Sequence, residues 1–186
     1  MSHLAGKSIL ILATHGFEQS ELDMPLKELK AAGATVHVAA PEAGEIRGWK
    51  GGDWGSPVKV DKTIEQVGAR DYDAIVLPGG QMNPDTLRGN DKALGLIKSF
   101  FEQGKVVAAV CHGPWLLIDT GIAKGRKVTS YKTIRQDLIN AGAQWQDAEV
   151  VNDKGVVTSR QPDDLPAFVA KIIEEVQEGR HERRAA

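Results

Sequence analysis

The chain has 186 residues, which is enough for one domain with a substantial hydrophobic core. Its 23 Lys and Arg residues and 25 Asp and Glu residues give a formal net charge of -2, so charge provides no reason to expect binding to nucleic acid or to an anionic membrane. The single cysteine, Cys111, excludes an internal disulfide and any metal site built from several cysteines, and we expect neither a metal nor a cofactor.

The start of the sequence shows no targeting segment. No basic stretch precedes an apolar one, and the first apolar run, from Ile9 to Ala13, is far too short for a signal sequence or a membrane span. We therefore expect a cytoplasmic protein with one domain over residues 1–186 and a core over about residues 7–176. The polar residues 179–186 are expected to form a frayed tail.

The first predicted elements are a strand and a helix. The continuous β-branched run over 8–13 is typical of a strand that is buried on both faces. Apolar residues from Leu22 to Leu29 then recur at helical spacing, and Gly33 ends this helix. Because Pro25 lacks an N–H, the helix is expected either to begin near Asp23 or to be kinked.

The remaining elements continue the alternation of strands and helices. In chain order they are a strand over 35–40, a turn-rich hairpin within 42–57, a strand over 74–77, a helix over 91–103, a strand over 106–110, a short strand over 128–130, a helix over 133–141, a strand pair over 150–151 and 156–158, and a helix over 165–176. This order predicts an α/β layered fold with a mainly parallel sheet. Ligands of such sheets bind beyond the carboxyl ends of the strands.

Three segments with unusual residues follow directly after predicted strands. They are Thr14 to Glu18, Pro78-Gly79-Gly80, and Cys111-His112-Gly113. In a parallel sheet all three segments lie at the same edge, so we expect the functional site there.

Cys111 is the strongest candidate for a reacting residue. The stretch Ala109-Val110-Cys111-His112-Gly113 has the pattern of a nucleophile elbow between a strand and a helix. A helix beginning near Pro114 directs its N-terminal N–H groups at the sulfur, which predicts a lowered thiol pKa. The alternative is a buried and inert cysteine, which is common for a single Cys.

His112 and two carboxylates are the candidate partners of this thiol. His112 is a candidate acid or base, although adjacent side chains on a sharp turn are expected to diverge. A catalytic imidazole needs an orienting carboxylate, and the candidates are Glu18 and Asp85. Glu18 can also reach the sulfur: ionised, it raises the thiol pKa, and protonated, it donates a hydrogen bond so that the pair shares one negative charge.

The glycines near these residues are candidates for substrate binding. Gly79 and Gly80 offer N–H groups suited to an oxyanion hole, although a plain tight turn explains them as well. Gly113, in the elbow, is included in the same predicted substrate-binding group. No phosphate-binding loop motif occurs in the sequence.

At these residues the sequence resembles the DJ-1/PfpI superfamily, in particular its branch of intracellular proteases and bacterial general stress proteins. The resemblance runs from about Lys7 to Val176. The matching stretches are Phe17-Glu18-x-x-Glu21-Leu22, Asp73 to Gly80, Ala109 to Pro114, Gly125 to Tyr131, and Asn140 to Ala143.

The resemblance implies a flavodoxin-like, three-layer α/β/α sandwich with Cys111 as the nucleophile. It implies Glu18 as the carboxylate at the sulfur and His112 as the imidazole neighbour. In the protease-like branch a carboxylate from a neighbouring subunit approaches the histidine, and the matching position here is Asp85, which stands where the prototype has Glu. This assignment implies a homodimer or a larger homo-oligomer.

Related hydrolases with a similar elbow do not fit the sequence. Glutamine amidotransferases need a downstream His-x-Glu motif, and α/β-hydrolases need a late histidine. The histidine that follows His112 is His181, in the tail, and Arg183 stands where the motif needs Glu.

Three functions remain open at the level of the sequence. The favoured one is a stress-response enzyme of the glyoxalase III or deglycase type, in which Cys111 adds to methylglyoxal, glyoxal or early glycation adducts. The alternatives are an intracellular cysteine peptidase using Cys111, His112 and Asp85, and a redox sensor in which Glu18 stabilises oxidised Cys111.

Overall fold

The computed structural model describes residues 3–182. Of the predicted tail, residues 183–186 lie outside the described part of the chain. The strands are β1 Ser8–Leu12, β2 Phe17–Glu18, β3 Thr35–Ala40, β4 Glu45–Lys50, β5 Asp53–Lys59, β6 Lys62–Thr63, β7 Ala74–Leu77, β8 Val106–Val110, β9 Lys127–Val128, β10 Gln144–Trp145, β11 Val150–Asp153 and β12 Val156–Ser159. The α-helices are α1 Gln19–Ala31, α2 Met82–Arg88, α3 Asp91–Glu102, α4 Trp115–Asp119, α5 Arg135–Asn140 and α6 Leu165–Glu178.

The central sheet has seven strands in the order β11-β12-β8-β7-β1-β3-β6. All neighbouring strands are parallel except β11, which pairs with β12 in an antiparallel hairpin. A smaller sheet, β2-β4-β5, extends from the carboxyl end of β1, and β9 pairs with β10 separately. The carboxyl ends of β1, β7 and β8 therefore lie side by side, as the sequence predicted.

Two hydrophobic clusters cover the two faces of the central sheet. Alternate strand residues such as Ile11 and Val110 face α1 and α6, where they meet Leu22 and Phe168. The intervening residues face the other helices, with α3 supplying Ile97 among the core contacts. Strands buried on both faces explain the continuous apolar runs in the sequence. The predicted flavodoxin-like three-layer sandwich is confirmed.

The helices differ from the predictions in three places. Helix α1 begins at Gln19 rather than near Asp23, and it contains Pro25 in its interior. Helix α2 was not predicted. Helix α4 follows the Cys111 elbow as expected, but it has only 5 residues. A helix this short contributes little dipole at its N-terminus, since the macrodipole is a sum over aligned peptide units.

The described part of the tail is folded against the domain, so the prediction of a frayed end is wrong for residues 179–182. The backbone N–H of His181 donates to Gly104 O (2.7 Å), and its imidazole Nε2 lies 3.4 Å from Oε2 of the buried Glu175. A Cβ on Gly155 would lie 2.4 Å from the His181 ring, so this glycine makes room for it. The backbone hydrogen bond to Gly104 and the contact of the imidazole with Glu175 hold His181 against the domain.

Candidate active site

Cys111 sits on a strained turn between β8 and α4. Its φ angle is 62°, a left-handed conformation that is costly for a residue with a side chain and that often marks a functional site. The backbone holds this turn, because the Cys111 N–H donates to Ser159 O (3.0 Å) and the Gly113 N–H donates to Val110 O (2.8 Å). The predicted nucleophile elbow is present, and its sulfur-bearing residue is only 7% exposed.

The carboxyl group at the sulfur belongs to Glu21, not to Glu18. Glu21 is fully buried in the first turn of α1, its Oε2 accepts the Gly79 N–H at 2.7 Å, and its carboxyl group interacts with the Cys111 thiol. No Lys or Arg within residues 3–182 pairs with this carboxyl. Burial therefore raises the pKa of Glu21 to about 8, so the group is largely protonated at neutral pH.

The thiol pKa is raised rather than lowered, which corrects the expectation from the helix dipole. Burial is the main cause, and the neighbouring Glu21 carboxyl adds to it. Hydrogen bonds from the Gly80 and His112 N–H groups to the sulfur act in the opposite direction. Because Cys111 and Glu21 are in contact, together they hold at most one negative charge near neutral pH.

The three glycines of the site have different roles. Gly80 directs its N–H at the sulfur, as an oxyanion donor would. Gly79 and Gly113 already donate their N–H groups, to Glu21 and to Val110, so neither serves as the predicted donor. Their lack of a side chain is what matters, since a Cβ would lie 2.6 Å from Glu21 Oε2 at position 79 and 2.6 Å from Leu77 O at position 113.

His112 lies against the thiol, although adjacent side chains were expected to diverge. Its Nδ1 is 3.2 Å from Cys111 Sγ, because the left-handed turn brings the two side chains together. The imidazole stacks on Tyr131 (centroids 5.1 Å apart) and meets the edge of Trp115 (5.1 Å). Burial lowers the pKa of His112, and the negative charge of Asp137 partly offsets this effect. The imidazole is therefore mostly neutral and able to accept a proton.

The sulfur lies beside a cavity of about 580 Å³, within the range of small-molecule sites. Its wall includes aromatic and apolar groups together with a second carboxyl: Glu18, Trp49, Met82, His112, Tyr131 and Pro162. Glu18 is half-buried, and desolvation raises its pKa, while Lys50 lowers it. Glu18 thus faces the space in which a substrate would lie, but not the sulfur contact predicted for it.

Asp85 is exposed on α2. Within residues 3–182, His112 forms no hydrogen bond with Asp85 or with Glu18. The carboxylate whose charge acts on the imidazole within this chain is Asp137, which the sequence analysis did not identify.

The sequence analysis did not identify Glu21 as a site residue. With a helix beginning near Asp23, Glu21 falls outside it; with the observed start at Gln19, Glu21 shares the buried face with Leu22, Pro25 and Leu29. The spacing of this face was readable in the sequence. Trp49 and Tyr131 gave no comparable signal, because their strands and loops reach the site only through tertiary packing.

One group of side chains in residues 3–182 has the composition of a metal site. Ligand atoms of Glu175, Glu178 and His181 all lie within 4.8 Å of one another. They lie at the C-terminal end of α6 and just after it, where His181 contacts Gly104 two residues before β8, and so at the opposite edge of the sheet from Cys111. Glu175 is already paired with His181 there.

Comparison with protein families identifies one model, that of the DJ-1/PfpI family, which matches residues 7–175. A deglycase of Thermococcus kodakarensis is 47% identical over 165 residues, which are 89% of this chain and 96% of that protein. YraA of Bacillus subtilis, provisionally named a cysteine protease, is 48% identical over 163 residues, which are 87% of this chain and 94% of that protein.

A solved structure with the same fold is a two-domain protein of Anabaena variabilis, with DJ-1/ThiJ/PfpI-like and ferritin-like domains. It superposes with a TM-score of 0.87 and 36% identity over 91% of this chain. The match spans about half of that protein, 48% of its chain. Among the described residues, none of the helices is both long and apolar enough to cross a membrane.

Proposed function

Because this chain belongs to the DJ-1/PfpI family, we propose that it is a cysteine-dependent enzyme that acts on reactive carbonyls, of the glyoxalase III or deglycase type. One observation carries the proposal: the Cys111 thiol lies between a buried, protonated Glu21 and a neutral His112, beside a cavity of about 580 Å³. This arrangement supplies a nucleophile with a proton acceptor at 3.2 Å and room for a small carbonyl compound.

The first step forms a carbon–sulfur bond. Cys111 Sγ attacks the aldehyde carbon of methylglyoxal while its proton passes to His112 Nδ1. The negative charge that develops on the aldehyde oxygen is held by the N–H groups of Gly80 and His112, which already face the sulfur. The oxygen then takes the proton from His112, which gives a neutral hemithioacetal.

The second step moves a proton within the adduct, and the third releases the product. Glu18 takes the proton from the former aldehyde carbon and returns it to the neighbouring carbon, while the hydroxyl proton passes from the oxygen of the first carbon to the oxygen of the second, which turns the hemithioacetal into a lactoyl thioester without an outside oxidant. Water hydrolyses the thioester to lactate and restores the thiol. With an early glycation adduct on an amine or guanidine, the thiol replaces the nitrogen at the carbinol carbon, the carbon–nitrogen bond breaks, and the nitrogen leaves with the thiol proton, which gives the same hemithioacetal.

The function is tested by comparing three assays on the purified protein. We expect methylglyoxal to be consumed with formation of lactate, measured by enzymatic lactate assay. Hydrolysis of a fluorogenic peptide without aldehyde turnover would instead establish the peptidase. A gain of about 32 Da on Cys111 in dilute peroxide, with no turnover of either substrate, would support the redox sensor.

We further propose that Asp85 completes the site of a neighbouring subunit in a homo-oligomer. Its support is the exposed position of Asp85 on α2 and the absence of a carboxylate bonded to His112 within residues 3–182. A carboxylate brought to the imidazole from a second copy would orient it as in a catalytic triad.

A cytoplasmic location is part of this proposal, since an unpaired thiol remains reduced there.

Mixing two inactive variants tests the shared site. We expect Asp85→Asn to lower kcat about tenfold or more, because it removes the orienting charge. Mixed oligomers of Asp85→Asn with Cys111→Ser should regain up to about a quarter of the wild-type activity, as one intact site forms in each heterodimer. Asp147→Asn, at an exposed pair with Arg160, is the matched control. Full activity of Asp85→Asn alone would contradict the proposal.

A further inference from the structure

The imidazole of His112 is in contact with Trp115, the residue that opens α4. The imidazole and the indole form a T-shaped pair with ring centroids 5.1 Å apart and planes at 70°. Tyr131 covers the imidazole from another side by stacking. Two aromatic contacts restrict the rotation of the His112 side chain, and so they keep Nδ1 at 3.2 Å from the sulfur.

Trp115 is itself fixed from two directions. Its Nε1–H donates to Asp137 Oδ2 at 2.8 Å, which ties the indole to α5. The Arg88 guanidinium of α2 lies over the indole ring at 5.2 Å, and Arg88 Nε donates to Asp119 Oδ2 at 2.8 Å. The indole is therefore held by a hydrogen bond to Asp137 and by a cation–π contact with Arg88, which is itself fixed by Asp119.

We infer that Trp115 is a positioning residue for His112, and that Asp137 holds Trp115 in place. Asp137 adds an electrostatic effect, since its charge favours the protonated imidazole and opposes the effect of burial. Within the chain, Asp137 thus takes part of the role that an orienting carboxylate has in a catalytic triad, through an indole rather than by direct contact. The inference rests on the proposed function, in which His112 accepts the thiol proton.

Several other titratable or charged groups surround the imidazole and bear on its titration. They are Cys111 in direct contact, Tyr131 on its face, Glu21 at the thiol, Glu18 across the cavity, and Arg88 beyond the indole. Apart from these groups, the negative charge of Asp137 raises the pKa of His112. Replacing Asp137 by a neutral residue should therefore lower that pKa.

The test combines kinetics with a titration that needs no substrate. We expect Trp115→Leu to lower kcat with methylglyoxal by about tenfold or more, with KM within about twofold, because the imidazole loses its alignment while the cavity is kept. Trp115→Phe retains a ring at the edge of His112 and should lose less. Trp145→Phe is the matched control: Trp145 has the same kind of anchoring, an Nε1–H bond to Ser130 and a cation–π contact with Arg135, without a contact to His112.

The titration of His112 separates positioning from a purely structural role. We expect Asp137→Asn to lower the midpoint of the His112 imidazole signal in NMR, assigned with His112→Gln, and to move the acidic limb of the kcat profile to lower pH. Unchanged kcat in Trp115→Leu together with an unchanged midpoint in Asp137→Asn would overturn the inference. If turnover survives Cys111→Ser, the proposed function fails, whereas the NMR midpoint still decides the role of Asp137.

Discussion

Replacement of Cys111 by serine is expected to lower kcat/KM for methylglyoxal by at least about a thousandfold. The hydroxyl of serine is a much weaker nucleophile than a thiol near neutral pH. His112 can accept the proton of residue 111, but in the described residues no carboxylate is hydrogen-bonded to this imidazole in the way that activates a catalytic serine. Initial rates of aldehyde loss and lactate formation measure the effect.

Folding and thiol chemistry provide the controls for this result. Cys111→Ser keeps a side chain of similar size in the buried turn, so we expect the midpoint of thermal unfolding to change by only a few degrees. In the wild-type protein, the rate of alkylation by iodoacetamide should stay low at neutral pH and rise only in alkaline solution, because burial and the neighbouring Glu21 carboxyl raise the pKa of the thiol. Aldehyde turnover that persists in Cys111→Ser would eliminate the covalent mechanism.

Glu21→Gln is expected to raise the free energy of unfolding of the protein and to lower its catalytic activity. The folded state raises the pKa of Glu21 from 4.5 to about 8, so between these pH values the folded protein binds a proton that the unfolded chain releases. The contribution of this group to stability is therefore complete below about pH 4.5, falls as pH rises and levels off above about pH 8. The neutral amide of glutamine does not ionise, so Glu21→Gln avoids this loss of stability. Its free energy of unfolding should exceed that of the wild-type protein by about 3 kcal/mol at pH 7.

Activity should change in the opposite direction. An amide still accepts the Gly79 N–H, but it is a weaker hydrogen-bond donor to a developing thiolate than the protonated carboxyl is, and we expect kcat to fall about tenfold or more. Urea unfolding of wild type and Glu21→Gln at pH 5 and pH 8 gives the difference in stability, which should widen with pH. Glu28→Gln, on an exposed part of the same helix, is the matched control and should give a nearly constant difference. A Glu21→Gln difference that does not grow with pH would mean that Glu21 is ionised in the folded protein.

The sequence predicted the strands and the elbow of this site, but not Glu21 as the partner of the thiol. Short apolar strands such as β7 and β8 were predicted at their observed bounds, because burial on both faces produces continuous β-branched runs that few other structures share. The Cys111 elbow followed from its position after such a strand. The partner of the thiol was assigned to Glu18 from its place shortly after β1 and from the resemblance, whereas the observed helix start at Gln19 turns Glu21 inward.

The ionisation of the site depended on burial, which the sequence does not contain. The position of Cys111 before a helix suggested a lowered pKa, whereas the structure gives a helix of 5 residues and a Cys111 residue that is 7% exposed. Desolvation outweighs so short a dipole, since burial can shift a pKa by several units whereas a helix end contributes about 1 kcal/mol or less.

The sequence by itself determined the family, the layered fold and the edge of the sheet at which Cys111, His112 and Gly80 meet. These features are local, because strand patterning and a turn motif specify them over a few neighbouring residues. Only the tertiary structure decided that Glu21 lies at the thiol, that Glu18 faces the cavity, and that Trp115 and Asp137 hold His112. Those contacts join α1, α4 and α5 across the sheet edge, and their existence depends on how the helices pack.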